Sequence, residues 1–527
     1  MKKKKIIFII IIISLHLGFI FQVNSILLNT TSKSSNPPLS ISSSVVNEWN
    51  RTWGGRYLEE CLGVVVDSSD NIYLAGVTES FGAGGMDMAL VKFDNSGEML
   101  WSRTYGGSDD HELAHDVAID SSGNIYLSGL KSPININERH ITLVKLNNIG
   151  DELWNYTYYY TTHGRFGVAV DSSDNVYLAG ITGVRNMILI KFNNSGVQLW
   201  NRTWGGSGED ACQGVAVDSS DSVYLVGYTT SIGAGGYDVV LVKYNSSGNL
   251  EWNSTWGGSD SDIGEGVAVD SLGNIYVTGY TESFNEGNQY DICLIKYNSS
   301  GILQWNRTWG TLEDEKGYGV TINSIDNIYV TGTNGDFVLV EYDSTGVLLG
   351  SHSFGGELYD EAYDVTVDSL DNVYIVGACQ CPYGAGSRDM ILVKYIHDTF
   401  KPIININSPS HNGKYGEAPA YDISIIEPNL ESLWYTIDEW PNINIYINST
   451  TQMSGVINQA LWDTASYGEI IITFYAVDFN NNFGYSEVII EKIETIIPGY
   501  SILTIISLIG VIVIIITKKN VKLKIKM

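Results

Sequence analysis

The sequence predicts an all-β chain built around a seven-bladed β-propeller, on three observations: its composition, a unit copied seven times and a displaced copy of one strand. The 527 residues include 55 glycines, 33 tyrosines and 13 tryptophans, while only 17% are charged. Glycine-rich turns and aromatic side chains favour many short strands over helices. A disordered chain is excluded because the sequence is too aromatic and too weakly charged.

The second observation is an internal repeat with a period of about 50 residues. The pattern V-x-V-D-S-x-x-N-[IV]-Y-[LIV]-x-G recurs seven times with small departures, and its tyrosine is present in every copy. The tyrosines are Tyr73, Tyr126, Tyr177, Tyr224, Tyr276, Tyr329 and Tyr374. Turn residues divide the first unit into four strands, at 62–67, 71–77, 87–93 and 99–105. Four short strands in one such unit make a propeller blade.

The third observation concerns the fourth strand of the seventh unit. No copy of the fourth-strand sequence follows Tyr395, but one stands before the first unit, at 47–55. We therefore expect the N-terminal strand to complete the last blade and close the ring, so that the propeller occupies residues 47–396.

The unit resembles the SBBP β-propeller repeat. The resemblance is carried by Asp87–Phe93, Gly97, Trp101 and Tyr105-Gly106-Gly107, and it extends over about residues 47–395. It implies a propeller and a prokaryotic, archaeal-like cell-surface protein. It implies no catalytic residues.

Apolar runs at the two ends predict the compartment. Four lysines precede the run 6–21, which is typical of a signal segment (1–25), with an uncleaved anchor as the alternative. A flexible segment rich in Ser, Thr and Asn (26–46) follows. Residues 497–517 are long enough for a transmembrane helix, and the lysine-rich tail 518–527 favours the cytoplasmic side. The sequence thus predicts a single-pass cell-membrane protein with an extracellular body, anchored by this C-terminal helix.

Residues 401–493 depart from the repeat. Six apolar alternations, at 403–406, 421–426, 433–437, 443–447, 470–477 and 486–493, predict a β-sandwich. The stretch 474–485 resembles the late hairpin of immunoglobulin-like modules of prokaryotic surface proteins. We therefore expect an Ig-like domain between the propeller and the C-terminal helix.

The charge balance restricts the partners. The net charge of the whole chain is −29, and every acidic residue lies between Glu48 and Glu494. Nine of the 30 basic residues lie in the two ends, so the segment between them carries 21 basic against 59 acidic residues, a balance of −38. Such a surface attracts cations and excludes ordinary nucleic-acid binding, which needs a basic face.

The loops predict the ligand-binding face. In a propeller, the connections from strand four to strand one and from strand two to strand three lie at the same end. The first set carries acid clusters and the second is rich in glycine. The candidate ligand-binding residues are Glu59, Glu60, Asp109, Asp110, Glu209, Asp210, Asp260, Asp262, Glu313, Asp314, Asp360 and Glu361. A merely solvated acidic rim is the alternative. No cofactor is expected, although Ca²⁺ at these acidic loops is left open.

Two other features have a structural and a functional interpretation. Tryptophans and an arginine alternate along the fourth strands, as in Trp200-Asn201-Arg202-Thr203-Trp204, and predict packing between blades rather than a sugar-stacking platform. Cys379 and Cys381 are expected to be free thiols, with a bridge or a metal site as the alternatives.

The function predicted first is extracellular binding or adhesion, with a protein or a glycan as the ligand. The alternatives are a hydrolase or quinoprotein-like enzyme on the propeller and a structural component of the cell envelope. No nucleophile elbow, HExxH or P-loop is present, so no catalytic residue is assigned.

Overall fold

The computed structural model describes residues 45–134, 138–159, 164–285, 289–355, 360–380, 387–397, 401–426, 430–438, 443–445, 452–478 and 482–494. Within these ranges the chain is all-β apart from one helix of six residues. The predicted signal segment, transmembrane helix and basic tail lie outside the described residues, as does nearly all of the predicted flexible segment.

Residues 45–397 form seven four-stranded antiparallel sheets, and six of them are built from strands that are consecutive in the chain. The first sheet contains β2 (Glu59–Val66), β3 (Ile72–Thr78), β4 (Asp87–Phe93) and β5 (Met99–Tyr105). The second contains β6 (Asp110–Ile119), β7 (Ile125–Pro133), β8 (His140–Leu146) and β9 (Glu152–Tyr159). The third contains β10 (Gly167–Val170), β11 (Val176–Ile181), β12 (Met187–Phe192) and β13 (Gln198–Trp204).

The next three sheets repeat this order. The fourth contains β14 (Asp210–Val217), β15 (Val223–Thr229), β16 (Asp238–Tyr244) and β17 (Leu250–Trp256). The fifth contains β18 (Asp262–Val269), β19 (Ile275–Thr281), β20 (Asp291–Tyr297) and β21 (Leu303–Trp309). The sixth contains β22 (Lys316–Ile322), β23 (Ile328–Thr333), β24 (Phe337–Tyr342) and β25 (Leu348–Phe354).

The seventh sheet takes its fourth strand from the N-terminal end. It contains β26 (Glu361–Val367), β27 (Val373–Cys379), β28 (Asp389–His397) and β1 (Val45–Trp53), with β1 at the edge beside β28. The two strands pair antiparallel, from Val45 opposite His397 to Trp53 opposite Met390. The predicted completion of the last sheet by the N-terminal strand is present in the structure.

The seventh sheet also packs against the first. The Ser369 amide and hydroxyl donate to the carboxylate of Asp70 at 3.1 and 2.9 Å. The Lys394 ammonium donates to the Asn95 carbonyl at 3.2 Å. These partners are 299 residues apart, so the chain returns to its beginning. Successive four-stranded sheets in this arrangement form a β-propeller.

The repeated sequence explains the repeated geometry. Asp67 accepts hydrogen bonds from the Ser69 and Asn71 amides, which forms the turn between β2 and β3, and from the Tyr73 hydroxyl at 3.0 Å. The Tyr73 ring is buried between the first and second sheets. Position 76 accepts only glycine in this backbone arrangement, because a Cβ there would lie 1.8 Å from the Glu60 carbonyl oxygen.

The fourth-strand aromatics pack between sheets, in agreement with the packing interpretation. In three of the fourth strands, an arginine lies over the tryptophan two residues before it and donates its Nε to a glycine carbonyl of the neighbouring sheet. The distances from Cζ to the ring centroid are 4.9 Å for Arg51, 5.1 Å for Arg202 and 5.1 Å for Arg307. The Nε–O distances are 2.9 Å to Gly97, 2.6 Å to Gly248 and 2.6 Å to Gly346.

The C-terminal part forms two further sheets over a shared core. One contains β29 (Ile403–Ser408), β31 (Ala420–Ile426) and β34 (Gln452–Val456). The other contains β30 (Lys414–Tyr415), β36 (Phe483–Lys492), β35 (Gly468–Asp478), β32 (Leu430–Ile437) and β33 (Ile443–Ile445). The helix α1 (Gln459–Thr464) buries Trp462 in the same core. Its Ig-like character stays a prediction.

The prediction of a single-pass cell-membrane protein is wrong. No helix among the described residues is long and apolar enough to cross a membrane. The helix α1 has six residues, whereas a span needs about 20. The predicted span 497–517 lies outside the described residues. The anchor and the cell-membrane location are therefore withdrawn.

The cysteines also require a correction. Cys61, Cys212 and Cys293 are free and buried. Cys379 is disulfide-bonded, so the prediction of a free thiol there is wrong. The odd number of cysteines suggested no pairing, but it does not exclude a single disulfide. Cys381 lies outside the described residues.

Candidate functional site

The structure divides the twelve candidate acids into three groups of four. The first group is buried and consists of Glu59, Asp210, Asp262 and Asp360. Asp210 shows the local role: it accepts hydrogen bonds from the Gly206 amide at 2.7 Å and from the hydroxyls of Thr229 and Ser231. Glu59 likewise accepts hydrogen bonds from the Gly55 amide and the Thr78 hydroxyl. These carboxylates hold neighbouring loops together.

The second group is paired with cations. Glu60 and Glu361 both contact the guanidinium of Arg388, at 3.0 Å in the case of Glu60. The other two pairs are Asp110–Lys131 at 2.9 Å and Glu209–Arg185 at 2.6 Å. The charge of these four acids is largely neutralised locally.

The third group, Asp109, Asp260, Glu313 and Asp314, is exposed. None of the four forms an ion pair with another described residue. We call them the rim acids. The twelve acids therefore do not converge on one pocket. Over the part of the chain that the structure describes, no three His, Cys, Asp or Glu side chains are grouped to hold a metal ion; Ca²⁺ at the acidic loops stays a prediction.

A group of residues that the sequence did not single out meets near the propeller axis. In six sheets the first strand carries a β-bulge. It lies five residues before the aspartate that follows V-x-V in the repeat, or before the asparagine that replaces this aspartate in the sixth copy. The bulged residues are Leu62, His115, Gln213, Glu265, Tyr318 and Tyr363. A bulge re-aims the side chain out of the sheet alternation. The available sequence signal is that this position changes in nearly every copy of a unit that is otherwise preserved.

Arg165, which precedes β10, shows where these side chains meet. Its Nε lies 3.8 Å from Glu265 Oε2, and its Cζ lies 4.7 Å from the ring centroid of Tyr318 and 5.2 Å from that of Tyr363. A side chain of the third sheet can contact those of the fifth, sixth and seventh sheets only around the axis. Arg388 joins the group by donating to the Tyr363 hydroxyl at 3.2 Å. We call Arg165, Glu265, Tyr318, Tyr363 and Arg388 the axial cluster.

Burial dominates the electrostatics of this cluster. Desolvation raises the pKa of Glu265, and the charge of Arg165 opposes that rise. Desolvation likewise raises the pKa of Glu60, against the effect of Arg388. The cluster therefore combines the buried carboxylate of Glu265 with two partly buried arginines and two tyrosine rings, and each arginine lies beside at least one carboxylate.

Two further aspartates, Asp116 and Asp364, occupy positions where the other repeats have glycine. Each carboxylate accepts a hydrogen bond from an amide of the next sheet, Val168 at 2.8 Å and Val64 at 2.9 Å respectively. Desolvation, with a contribution from the charge of Asp364, raises the pKa of Asp116 to about 7. Desolvation raises that of Asp364 to about 6. Raised carboxyl pKa values occur in acid–base catalysis, but these amide contacts favour a role in joining sheets.

These values predict how stability depends on pH. The unfolded chain ionises aspartate near pH ~3.9, so between about pH 4 and 7 the native state holds more protons and stability falls as pH rises. At about 1.4 kcal/mol per proton per pH unit, we expect wild type to lose about 2–4 kcal/mol more than the Asp116→Asn/Asp364→Asn variant between pH 5 and 8. Urea unfolding at both pH values measures this, and equal losses would contradict it.

The comparisons with known proteins agree with the fold. Residues 255–285 match the SBBP beta-propeller repeat. None of the curated proteins matches the chain. The similar solved structures include the BP39L lectin of Burkholderia pseudomallei, with 6% identity over 68% of this chain and 97% of that chain and a TM-score of 0.46. They also include the Pan2 WD40 domain of Neurospora crassa, with 7% identity over 64% and 90% and a TM-score of 0.42.

A third similar structure is the gluconolactonase XC5397 of Xanthomonas campestris, with 13% identity over 55% of this chain and 90% of that chain and a TM-score of 0.33. At such low identities and TM-scores, these likenesses carry no argument about ligand or activity. The four-stranded sheets identify residues 45–397 as a β-propeller, and residues 255–285 within it match the SBBP repeat.

Proposed function

We propose that this chain is a binding protein whose seven four-stranded sheets are the blades of one closed propeller, and that the loop end of this propeller recognises a basic segment of a partner protein. The pairing of β1 with β28 and the contacts between the seventh and first sheets support the closure. We call the end that carries the strand four-to-one and two-to-three connections the loop face. Contacts such as Tyr57 N to Ser80 Oγ at 2.8 Å join the two sets of connections.

The observation that carries the proposal is the state of the rim acids. They are exposed on the four-to-one connections and have no cationic partner among the described residues. Exposed charge of one sign steers an oppositely charged partner to a surface and fixes its orientation. A net charge of −29 for the whole chain acts in the same direction.

The axial cluster does not cancel this field. Arg388 is held by Glu60 and Glu361, and Arg165 lies beside Glu265. Because these central cations are already paired, the four rim acids outweigh the exposed Arg56 on the same set of connections and give the loop face its negative sign. Together with Glu60 and Glu361, the cluster holds three carboxylates against two arginines, and its tyrosine rings add an aromatic surface over which an extended polypeptide can lie.

A labelled nona-arginine peptide tests the proposal. Fluorescence anisotropy with the full chain at low salt should show binding, and added salt should weaken it. Neutralising three rim acids (Asp109→Asn, Asp260→Asn, Glu313→Gln) should reduce affinity about tenfold, because each exposed ion pair contributes about 0.2–1 kcal/mol.

The matched control neutralises three exposed acids after the turns at the opposite end: Glu98→Gln, Asp151→Asn and Glu152→Gln. It should bind the peptide almost as wild type does. If both triple variants lose affinity equally, the peptide senses only net charge and the loop face is not the site. Absence of binding by wild type would also reject the proposal. Adhesion, a glycan ligand, an enzymatic activity, an envelope role and the archaeal-like origin stay untested predictions.

A further inference from the structure

A cavity of about 280 Å³ opens between the first and second sheets, away from the axial cluster. Its walls include Met88 and Tyr105 of the first sheet and Glu112, Lys131, Thr142 and Asn155 of the second. The cavity is independent of the rim acids, so its function does not depend on the function proposed above.

One wall of the cavity is formed by Tyr105, at a position that is tyrosine or phenylalanine in three sheets, including Tyr158 and Phe354. Where the first sheet has Tyr105, four other sheets have a tryptophan. The tryptophans are Trp53, Trp204, Trp256 and Trp309. Trp53 and Trp256 pack against phenylalanines of the adjoining loop, with ring centroids 5.0 and 4.8 Å apart. Tyr105 instead donates its hydroxyl to the Gly150 carbonyl at 2.7 Å.

That hydrogen bond draws Tyr105 away from the loop end. At other interfaces the equivalent glycine carbonyl accepts from an arginine, as Gly97 accepts from Arg51 at 2.9 Å. The smaller ring, tied to the opposite turn, leaves open the space that an indole would fill. The opening therefore follows from the tyrosine at position 105 and its hydrogen bond to Gly150.

The second sheet adds polar groups at the same place. Lys131 stands where four other sheets have threonine, and its ammonium lies 2.9 Å from Asp110 and 3.0 Å from Glu112. Thr142 stands where the other sheets have Ala, Ile, Val or Cys. Glu112 Oε2 receives only a long contact of 3.5 Å from the Gly107 amide. A buried carboxylate oxygen with this little hydrogen bonding has capacity for a further donor.

We propose that this cavity binds a single neutral sugar ring. Its volume is below the range of about 300–1,000 Å³ typical of drug-sized ligands, so it suits a smaller molecule. The Tyr105 ring, with Val144 beside it, offers an apolar surface to the C–H face of a sugar. Glu112 and Asn155 are placed for its hydroxyls, and the Thr142 hydroxyl, which donates to the Tyr156 carbonyl at 3.2 Å, can accept from one of them. An anion would meet Glu112 and Glu152, and a cation would compete with Lys131 for its two carboxylates. A neutral polyhydroxylated ring can hydrogen-bond to these side chains without repulsion from the carboxylates and without displacing Lys131 from them.

Ligand-observed NMR with the full chain tests this proposal against glucose, galactose, mannose, fucose and N-acetylglucosamine. We expect at least one of them to bind with a Kd below about 10 mM. Tyr105→Trp introduces the residue that four other sheets have, should fill the cavity and should weaken binding at least about tenfold without lowering Tm. Trp309→Tyr, the matched exchange in the fifth sheet, should leave sugar binding unchanged.

A second variant covers the case in which Tyr105→Trp does not fold. Thr142→Val restores the aliphatic residue of the fourth and sixth sheets and should also weaken binding. The proposal is overturned if none of the five sugars binds, if binding survives the folded Tyr105→Trp variant, or if glucuronate or glucosamine binds more tightly than every neutral sugar.

Discussion

Deletion of residues 47–53 should destabilise the whole propeller and not only its last sheet. These residues belong to β1, which forms the edge of the seventh sheet and is the physical link between the two ends of the propeller segment. Trp49 and Trp53 pack against the core between the seventh and first sheets. Removing two partly buried indoles and one row of strand hydrogen bonds should cost roughly 5 kcal/mol or more. Circular dichroism during heating should show one transition at a Tm lowered by about 10 °C or more.

Arg51→Gln is the matched control for this deletion. It removes the contact of the guanidinium with Trp49 and its hydrogen bonds to the Gly97 and Ser96 carbonyls but leaves the strand in place, so it should cost only about 1–2 kcal/mol. A synthetic peptide of residues 45–55, added to the deletion variant, should restore part of the lost Tm because it supplies the missing strand. Unchanged thermal unfolding of the deletion variant would reject closure of the ring by β1.

The first sheet shows how much of the fold follows from the sequence. Two of its four predicted strands, 87–93 and 99–105, have the bounds seen in β4 and β5. The first strand was expected at 62–67 but occupies Glu59–Val66. The β-bulge at Leu62 breaks the alternation of buried and exposed residues there, so the pattern before it could not be recognised.

The acidic residues show why the site was harder to predict than the fold. Glu59 and Glu60 are neighbours in sequence and looked equivalent. Strand alternation sends them to opposite sides: Glu59 is buried and holds the loops by hydrogen bonds to Gly55 and Thr78, whereas Glu60 meets Arg388. The partner of Glu60 lies more than 300 residues away in the chain, and one sequence does not reveal it.

The axial cluster was still harder to predict from the sequence, because its members are distant from one another in the chain. Arg165 lies in an irregular segment before β10, so no strand pattern marks it. Its partners, Glu265, Tyr318 and Tyr363, come from three other sheets. Only the closure of the ring brings these residues together. The variation of the bulged position among the copies was visible in the sequence, but its location at the axis was not.

Replacement of Arg165 by methionine should be the most destabilising single exchange in the axial cluster. It leaves the carboxylate of Glu265, which is 5% exposed, without its nearest cation. Removing one partner of a fully buried ion pair costs about 3–5 kcal/mol, because the other charge remains desolvated. Since the Arg165 side chain is 28% exposed and its Nε lies 3.8 Å from Glu265 Oε2, we expect about 2–3 kcal/mol here. Tyr318 and Tyr363 also lose the guanidinium that lies over their rings. Chemical denaturation of the full chain should therefore show a large decrease in the free energy of unfolding of the propeller.

Two comparisons separate this effect from a general loss of contacts. Arg185→Met breaks an ion pair with Glu209 in which the arginine side chain is 60% exposed, and it should cost less than about 1 kcal/mol. The double variant Arg165→Met/Glu265→Gln removes the uncompensated charge and should regain much of the stability that Arg165→Met loses. If Arg165→Met costs no more than Arg185→Met, or if the second exchange restores nothing, then Glu265 is not held by Arg165. The axis would in that case be stabilised by the tyrosines and the apolar packing of the sheets around them.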